Sequence, residues 1–407
     1  MPKKLWEPSR ELIKNSNLFK YEKFVSKNYK YNFSGKYKKL LNWSVKNPKD
    51  FWNSIWNYFE IIGAKTDKFK LTKDLINSKF FVNSKLNFAE NLLAKNSNQK
   101  AITFVSENGY REQKSWKELN IDVKKIITFY KKINISEKDR IAAYTPNQIE
   151  TVECFLGASA IGSIWSSCSP DFGVPGVIER FSQIKPKLLV ITDKYYYNGK
   201  EINIIERLPK ILKKIKSIKS VLILNYPGKK LRKFNKIKNI KIYNFTEIKK
   251  LEISRNKLKK FDFDHELAIL YSSGTTGKPK CICHRSGGVL LQHLKEHQLH
   301  CNIKPNDNVF YFTTCGWMMW NWLVTALASK ASILLFDGFP MYKSPDLLLK
   351  IVNKEKVTLF GISAKYIDQL IKQNVKVKEK IKLKSLKTIC STGSPLSKDG
   401  FEFVYRN

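Results

Sequence analysis

Arginine is scarce in this 407-residue chain: nine of its 74 basic residues are arginines and the other sixty-five are lysines. Set against 35 acidic residues, they give a formal net charge of +39, a balance that ordinarily points to nucleic acid or an anionic membrane. Readers of bases and phosphates favour the planar fork of arginine, however. The lysines are also scattered, with local runs at Lys210–Lys219 and Lys376–Lys387 among Asn and Ile. The scarcity argues against specific nucleic-acid recognition and for a solvated surface that has drifted toward lysine.

Three further features are missing. Met1–Leu12 carries Lys3, Lys4, Glu7, Arg10 and Glu11 and has no apolar core, so it does not read as a secretory signal. The seven cysteines are odd in number and form no dense framework of spacings, which favours free thiols in a reduced, cytoplasmic protein. No convincing membrane span exists either. Asn308–Ser329 runs for 22 residues without a charge, but Val309–Thr313 alternates, Gly316 interrupts, and Asn321 and three threonines lie inside. That pattern predicts a strand, a turn and a buried helix. No internal repeat is found.

What is present is apolar and aromatic. Apolar residues make up 43% of the chain, with 25 Phe, 18 Tyr and 9 Trp spread along it, so it can bury a sizeable core and is not wholly disordered. The length predicts two or three domains. Near the start, Phe51, Trp52, Ile55, Trp56 and Phe59 fall at helical spacing and predict one core-facing stripe. From about residue 100 the rhythm changes. Strands are predicted at Ile141–Tyr144, Ser163–Ser167, Leu188–Thr192, Val221–Asn225, Leu267–Tyr271, Val309–Phe312, Ala331–Phe336, Val357–Phe360 and Thr388–Ser391. Between them helices are predicted at Gln148–Ile161, Val174–Ile184, Ile202–Ile215, Gly288–Leu299, Trp320–Ala328, Pro345–Asn353 and Ala364–Gln373. This alternation predicts an α/β fold whose parallel sheets are flanked by helices.

The strongest local motif comes directly after the apolar run Leu267–Leu270. It reads Ser272-Ser273-Gly274-Thr275-Thr276-Gly277-Lys278-Pro279-Lys280. Two glycines let the backbone turn and expose consecutive N–H groups, while four hydroxyls and two lysines surround those donors. Such an assembly can wrap a polyphosphate. It is not a Walker loop, which needs four residues between its glycines and Ser or Thr after the lysine; here two residues intervene and Pro279 follows Lys278.

Ser272–Lys280 resembles the phosphate-binding loop of the adenylate-forming superfamily, which activates carboxylic acids with ATP. Around it, Cys281–His284, Leu290–His300, Phe312–Asn321, Trp43–Val45, Phe51-Trp52 and Tyr197–Lys200 are similar to the acetoacetate–CoA ligases of that superfamily. The likeness runs from about residue 5 to the last residue. It implies the superfamily's large N-terminal domain: residues 1–95 as the extension typical of acetyl- and acetoacetyl-CoA synthetases, and 96–407 as an AMP-binding (adenylation) domain incomplete at its C-terminal end.

The implied activity is ligation of acetoacetate to coenzyme A through an acyl-adenylate, using ATP and Mg2+, with acetoacetate, ATP and coenzyme A as small-molecule substrates and no specific nucleic acid or membrane span. The resemblance assigns ATP to Ser272, Ser273, Gly274, Thr275, Thr276, Gly277, Lys278 and Lys280, with Gly393, Ser394 and Pro395 lining the nucleotide. It gives Thr275, Thr276 and Lys278 the direct phosphate contacts of the catalytic step. Trp317, Met318, Met319 and Thr392 are implied to form the acyl pocket, and Lys200 to meet a phosphate of coenzyme A. Cys315 stands where threonine is expected, a small departure.

His293 and His297 are four apart, like a zinc pair, but the glutamate falls at 296 rather than directly after His293. With His284, His300, Cys281, Cys283 and Cys301 they are read as packing and pocket-lining groups, and no metal is assigned. Val404–Asn407 falls in the first turns of a helix begun after Ser397, which predicts that the sequence is a fragment. The family's adenine-binding segment, ribose-binding Asp and small C-terminal domain with its catalytic Lys would then lie beyond Asn407. The chain alone would lack a complete active site. Two other readings remain open: a ligase for another short acid such as acetate or propionate, and, remotely, a basic nucleic-acid-binding protein.

Overall fold

The computed structural model describes residues 4–231, 237–253, 257–272 and 277–407. Two large sheets organise them. The first has seven strands in the spatial order Lys241–Asn244, Ser220–Leu224, Leu188–Thr192, Arg140–Tyr144, Ile164–Cys168, Glu266–Tyr271 and Cys281–Arg285. Every neighbouring pair is parallel except the last, which is an antiparallel hairpin. The second has six, ordered Thr388–Thr392, Leu359–Ser363, Asn308–Tyr311, Ser332–Asp337, Lys100–Ser106 and Arg111–Ser115, again parallel apart from the final pair. The mixed α/β architecture matches the alternation in the sequence. Leu188–Thr192 and Ser220–Leu224 are buried at every position, and their runs of Leu, Val and Ile are what a strand covered on both faces requires.

The helix Ile149–Ala160 touches strands of both sheets and is buried along all twelve residues. Its sequence is apolar on nearly every side, as a helix without a solvent face must be. Glu150 and Glu153 are the charged exceptions, and Glu153 is the more deeply buried of the two. It receives Lys114 Nζ at 2.5 Å, and the same ammonium pairs with Asp122. Burial pushes the Glu153 carboxyl up, and Lys114 holds it down. The helix Trp116–Lys132, which carries Asp122, begins in a reciprocal cap between Ser115 and Glu118.

The first ninety-odd residues share the core of the rest. Tyr21, Val25, Trp43, Ile55 and Trp56 from helices Asn17–Tyr29, Tyr37–Lys46 and Pro48–Tyr58 are buried in one cluster with Leu290, Leu294 and Trp320. The Trp56 ring stacks on Phe263 with centroids 6.1 Å apart. The predicted stripe at 51–59 therefore faces the core.

Several predicted elements shift, three of them for reasons the structure shows. The helix expected at 202–215 starts only with the turn Ile205–Arg207 and the helix Leu208–Lys214, where Pro209 sits in the first turn. Ile202 instead pairs with Tyr195 in a hairpin of Lys194–Tyr197 and Lys200–Asn203. The strand expected from Val357 begins at Leu359, because the Val357 N–H is taken by Val352 O at 3.0 Å, closing the preceding helix. The helix expected at 288–299 starts earlier, at Ser286, and ends in a π turn, Glu296–His300. The uncharged stretch from Asn308 folds as strand Asn308–Tyr311, a turn, helix Met318–Thr325 and a final 3-10 turn. Among the described residues no helix is long and apolar enough to cross a membrane.

Candidate active site

The carboxyl ends of strands from both sheets are tied together. Ser167 Oγ donates to Cys315 O at 2.6 Å, and the Cys315 thiol donates to Thr145 O at 2.8 Å. Trp320 Nε1 donates to Asn147 Oδ1 at 2.9 Å, and Asn147 Nδ2 donates in turn to Thr313 O at 3.3 Å. These bonds join the ends of Arg140–Tyr144 and Ile164–Cys168 in one sheet to the segment after Asn308–Tyr311 in the other. Ligands of parallel α/β sheets bind outside such ends.

The glycine- and hydroxyl-rich loop leaves the carboxyl end of Glu266–Tyr271. Ser272 N donates to Lys280 O at 3.0 Å and Lys280 N to Ser272 Oγ at 3.2 Å, so the base of the loop is closed. Gln183 Nε2 holds Pro279 O at 3.0 Å from the neighbouring helix Val174–Ile184. Gly277 has φ +102°, a conformation that side chains disfavour. Lys278 is exposed and lines a shallow depression of about 680 Å³ with Pro175, Glu179 and Gln183. Lys280 is exposed as well. Ser273, Gly274, Thr275 and Thr276 lie outside the described residues.

A second space of about 730 Å³ opens beside the hairpin strand Cys281–Arg285. Its wall includes Gly288, Gln292 and His293 from helix Ser286–Lys295, Met318, Met319 and Trp322 from helix Met318–Thr325, and Tyr311, Cys390 and Thr392 from the second sheet. Three of the four residues expected in an acyl pocket, Met318, Met319 and Thr392, thus share one cavity. The fourth, Trp317, is not in its lining. It is 55% exposed, and its extended backbone (φ −107°, ψ 153°) caps the helix that Met318 begins.

The Thr392 and Tyr311 hydroxyls are 2.7 Å apart. Just beyond Thr392 the chain turns at Gly393, φ +91°, and Gly393, Ser394 and Pro395 are at or near the surface. His293 is buried with Nδ1 3.0 Å from Thr325 Oγ1. That hydroxyl donates to Asn321 O at 2.7 Å, so His293 is the donor and carries its proton on Nδ1. Burial and the nearby His284 push its pKa down to about 3, so the ring stays neutral.

Lys200 is exposed at the tip of the hairpin Lys194–Tyr197/Lys200–Asn203. The tip is anchored by a buried carboxylate. Glu107, at the carboxyl end of Lys100–Ser106, accepts the backbone N–H of Asn198 at 2.9 Å, of Gly199 at 2.7 Å and of Phe339 at 2.7 Å. Tyr197 also meets Phe339 edge-on, with centroids 5.6 Å apart.

Sequence reasoning missed Tyr311 and Glu107 altogether. Tyr311 reads as one more aromatic in an uncharged strand. Glu107 precedes Asn108-Gly109 and reads as part of a surface turn; only the fold brings three amides onto it. Among the described residues no group of three or more His, Cys, Asp or Glu could hold a metal ion.

This arrangement, two helix-covered, mostly parallel sheets with a glycine- and hydroxyl-rich segment and a cavity at their carboxyl ends, matches the N-terminal domain fold of adenylate-forming enzymes. The AMP-binding enzyme family model matches residues 89–407, and the chain belongs to that family. Its similarity is strong to the acetoacetyl-coenzyme A synthetase of Rhizobium meliloti (strain 1021), 38% identical over 403 residues, covering 98% of this chain and 61% of that protein. The acetoacetyl-CoA synthetase of Gallus gallus is also 38% identical, over 99% of this chain and 61% of its own length. In three dimensions the acetoacetyl-CoA synthetase from Streptomyces lividans superposes with a TM-score of 0.93 at 29% identity, over 99% of this chain and 62% of that one. The chain spans about three-fifths of the length of the relatives it matches.

Proposed function

We propose that this protein joins acetoacetate to coenzyme A at the expense of ATP, giving acetoacetyl-CoA, AMP and diphosphate. A carboxylate oxygen of the acid attacks the α-phosphorus of ATP and diphosphate leaves. The sulfur of coenzyme A then attacks the acyl carbonyl carbon and AMP leaves. The observation that carries the proposal is the cavity of about 730 Å³ at the strand ends, with Met318, Met319 and Thr392 in its wall. It supports the reading together with relatives named for this acyl-CoA product along nearly the whole chain.

The chain's own groups would work mainly by placing reactants and offsetting charge. Ser272–Lys280 would hold the outer phosphates, with Thr275, Thr276 and Lys278 in direct contact, and Gly393–Pro395 would line the nucleotide. Thr392 would face the acyl group, held in place by Tyr311. Met318 and Met319 would meet its far end, with Trp317 at the rim. Lys200 would meet a phosphate of coenzyme A. Mg2+ would arrive on the ATP phosphates, since it keeps several waters and needs few protein ligands. A reducing, cytoplasmic setting suits the seven free cysteines.

The test is AMP formation from ATP by the protein over its whole length, with coenzyme A and with acetoacetate, acetate or propionate supplied in parallel. Acetoacetate should give at least about tenfold higher kcat/KM, a margin of about 1.4 kcal/mol in barrier. Equal or better rates on acetate would replace acetoacetate with the shorter acid.

A further inference from the structure

The cavity wall holds an imidazole whose proton is fixed in place. On helix Ser286–Lys295, His293 gives its Nδ1 hydrogen to Thr325 Oγ1 at 3.0 Å, because Thr325 has already committed its own hydrogen to Asn321 O at 2.7 Å. The opposite nitrogen, Nε2, is therefore a bare acceptor. Among the described residues no hydrogen bond is made to it. Both nitrogens of His297, one turn on, are sealed from solvent, whereas Nε2 of His293 is not. Since His293 lines the space of about 730 Å³, that nitrogen opens into the cavity. Other polar groups of the wall already have partners. The Gln292 amide donates to Glu296 Oε1 at 3.1 Å, and the Tyr311 and Thr392 hydroxyls bond each other at 2.7 Å.

We propose that His293 is a specificity-determining residue for the acid: Nε2 holds a water molecule that donates its other hydrogen to the ketone oxygen of acetoacetate. A bare imidazole nitrogen and a ketone oxygen are both acceptors and cannot pair directly, but a water between them satisfies both. The space has room for a small acid and a water together. The same lone pair repels a carboxylate, so the acid is turned with its carboxylate away from helix Ser286–Lys295 and its ketone toward it. Butyrate, which has the same carbon chain and no ketone, leaves the hydrogen of that water without an acceptor, and a site built around such a bond rejects the analogue that lacks it.

Thr325 acts through His293 and is a positioning residue. With its hydroxyl accepting from Nδ1, the proton cannot move to Nε2 without leaving Nδ1 and Oγ1 as two facing acceptors. Burial and the nearby His284 keep the ring uncharged, so the lone pair stays available to the cavity. The inference deepens the reading of this cavity as the acyl pocket for acetoacetate and rests on it; the tautomer of His293 does not.

The experiment compares kcat/KM for acetoacetate and for butyrate in the full-length protein and in its His293→Phe variant, which keeps a ring but no nitrogen. The preference for acetoacetate should shrink about tenfold in the variant, through a fall on acetoacetate, while KM for ATP stays within about twofold. An unchanged ratio, or an equal fall on both acids, overturns the role of His293. Nitrogen NMR of the histidine-labelled wild type gives a second readout that does not depend on the variant's turnover. The Nε2 resonance should be that of an unprotonated nitrogen, should move on adding acetoacetate and should stay in place on adding butyrate. In Thr325→Val it should shift toward the protonated position. A protonated Nε2 in the wild type, or one indifferent to acetoacetate, overturns the inference whether or not His293→Phe folds. A wild type that turns over acetate faster than acetoacetate is a different result: it overturns the acetoacetate reading itself, and this inference with it.

Discussion

The hydroxyls of Tyr311 and Thr392 lie 2.7 Å apart although their strands are not neighbours. Leu359–Ser363 runs between them, with Gly361 paired to Tyr311 on one side and to Cys390 on the other. The tyrosine thus crosses a whole strand to hold Thr392 at the cavity. Tyr311→Phe should cost only about 1 kcal/mol of stability, the net worth of one hydrogen bond. It should raise KM for the acid several-fold while leaving KM for ATP nearly unchanged. Steady-state kinetics with each substrate varied would check the split; equal rises in both would mean that Thr392 does not face the acid.

Lys278→Ala should slow acyl-adenylate formation more than thioester formation. Loss of one preorganised charge from the departing diphosphate raises a barrier by about 2–4 kcal/mol. Pre-formed acetoacetyl-adenylate should restore turnover in the variant. If both half-reactions fall together, the lysine, exposed beside helix Val174–Ile184, serves something other than diphosphate release.

Glu107→Ala should leave the Asn198, Gly199 and Phe339 amides without their acceptor. Burying donors unpaired costs about 1–3 kcal/mol each, and with relaxation the net loss should be about 3 kcal/mol. Glu107→Gln, which keeps an acceptor oxygen, should lose less. Thermal unfolding measures the stability. Because the hairpin tip carries Lys200, KM for coenzyme A should rise more than KM for ATP in the same variants.

His293 and His297 are buried and neutral, His293 with its pKa down to about 3 and His297 pushed well below the ordinary value by burial and by His293. A depressed histidine pKa means the unfolded chain binds the proton more tightly. The stability they contribute is complete above pH 6.5 and drains away as pH falls from there toward 3. At pH 5 each should cost about 2 kcal/mol relative to pH 8. His297→Phe, keeping a ring against Trp322 at the present 4.2 Å centroid distance, should remove about half of that slope in denaturant unfolding between pH 8 and pH 5. An unchanged slope would mean that other groups set the acid sensitivity.

The α/β rhythm was legible because most strands are buried on both faces and carry continuous apolar runs. Leu188–Thr192 and Val174–Ile184 fall where the sequence placed them, bounds included. Ile202 misled for a physical reason: an apolar residue three before Ile205 and six before Leu208 fits a helix as well as it fits a two-stranded ribbon, and only Pro209 marks the true start. The segment Ser272–Lys280 stands out by composition, since glycines, hydroxyls and lysines concentrate there, but residues 273–276 lie outside the described residues. The cavity was half legible. Met318, Met319 and Thr392 stood in recognisable segments, whereas Tyr311 and Glu107 act through partners far off in the chain. Nothing local in the sequence reports a contact made across a third strand.

Gly361 shows what such a contact asks of a bystander. A Cβ on it would fall 2.0 Å from Cδ2 of Tyr311, so the ring can lie over this position only because no side chain is there. The tyrosine's route to Thr392 is therefore written in two places, one of them a residue that never meets a substrate. A single added methyl, Gly361→Ala, would evict the ring from its seat and narrow the cavity, so a census of pocket-lining side chains would overlook the position on which the pocket's shape turns.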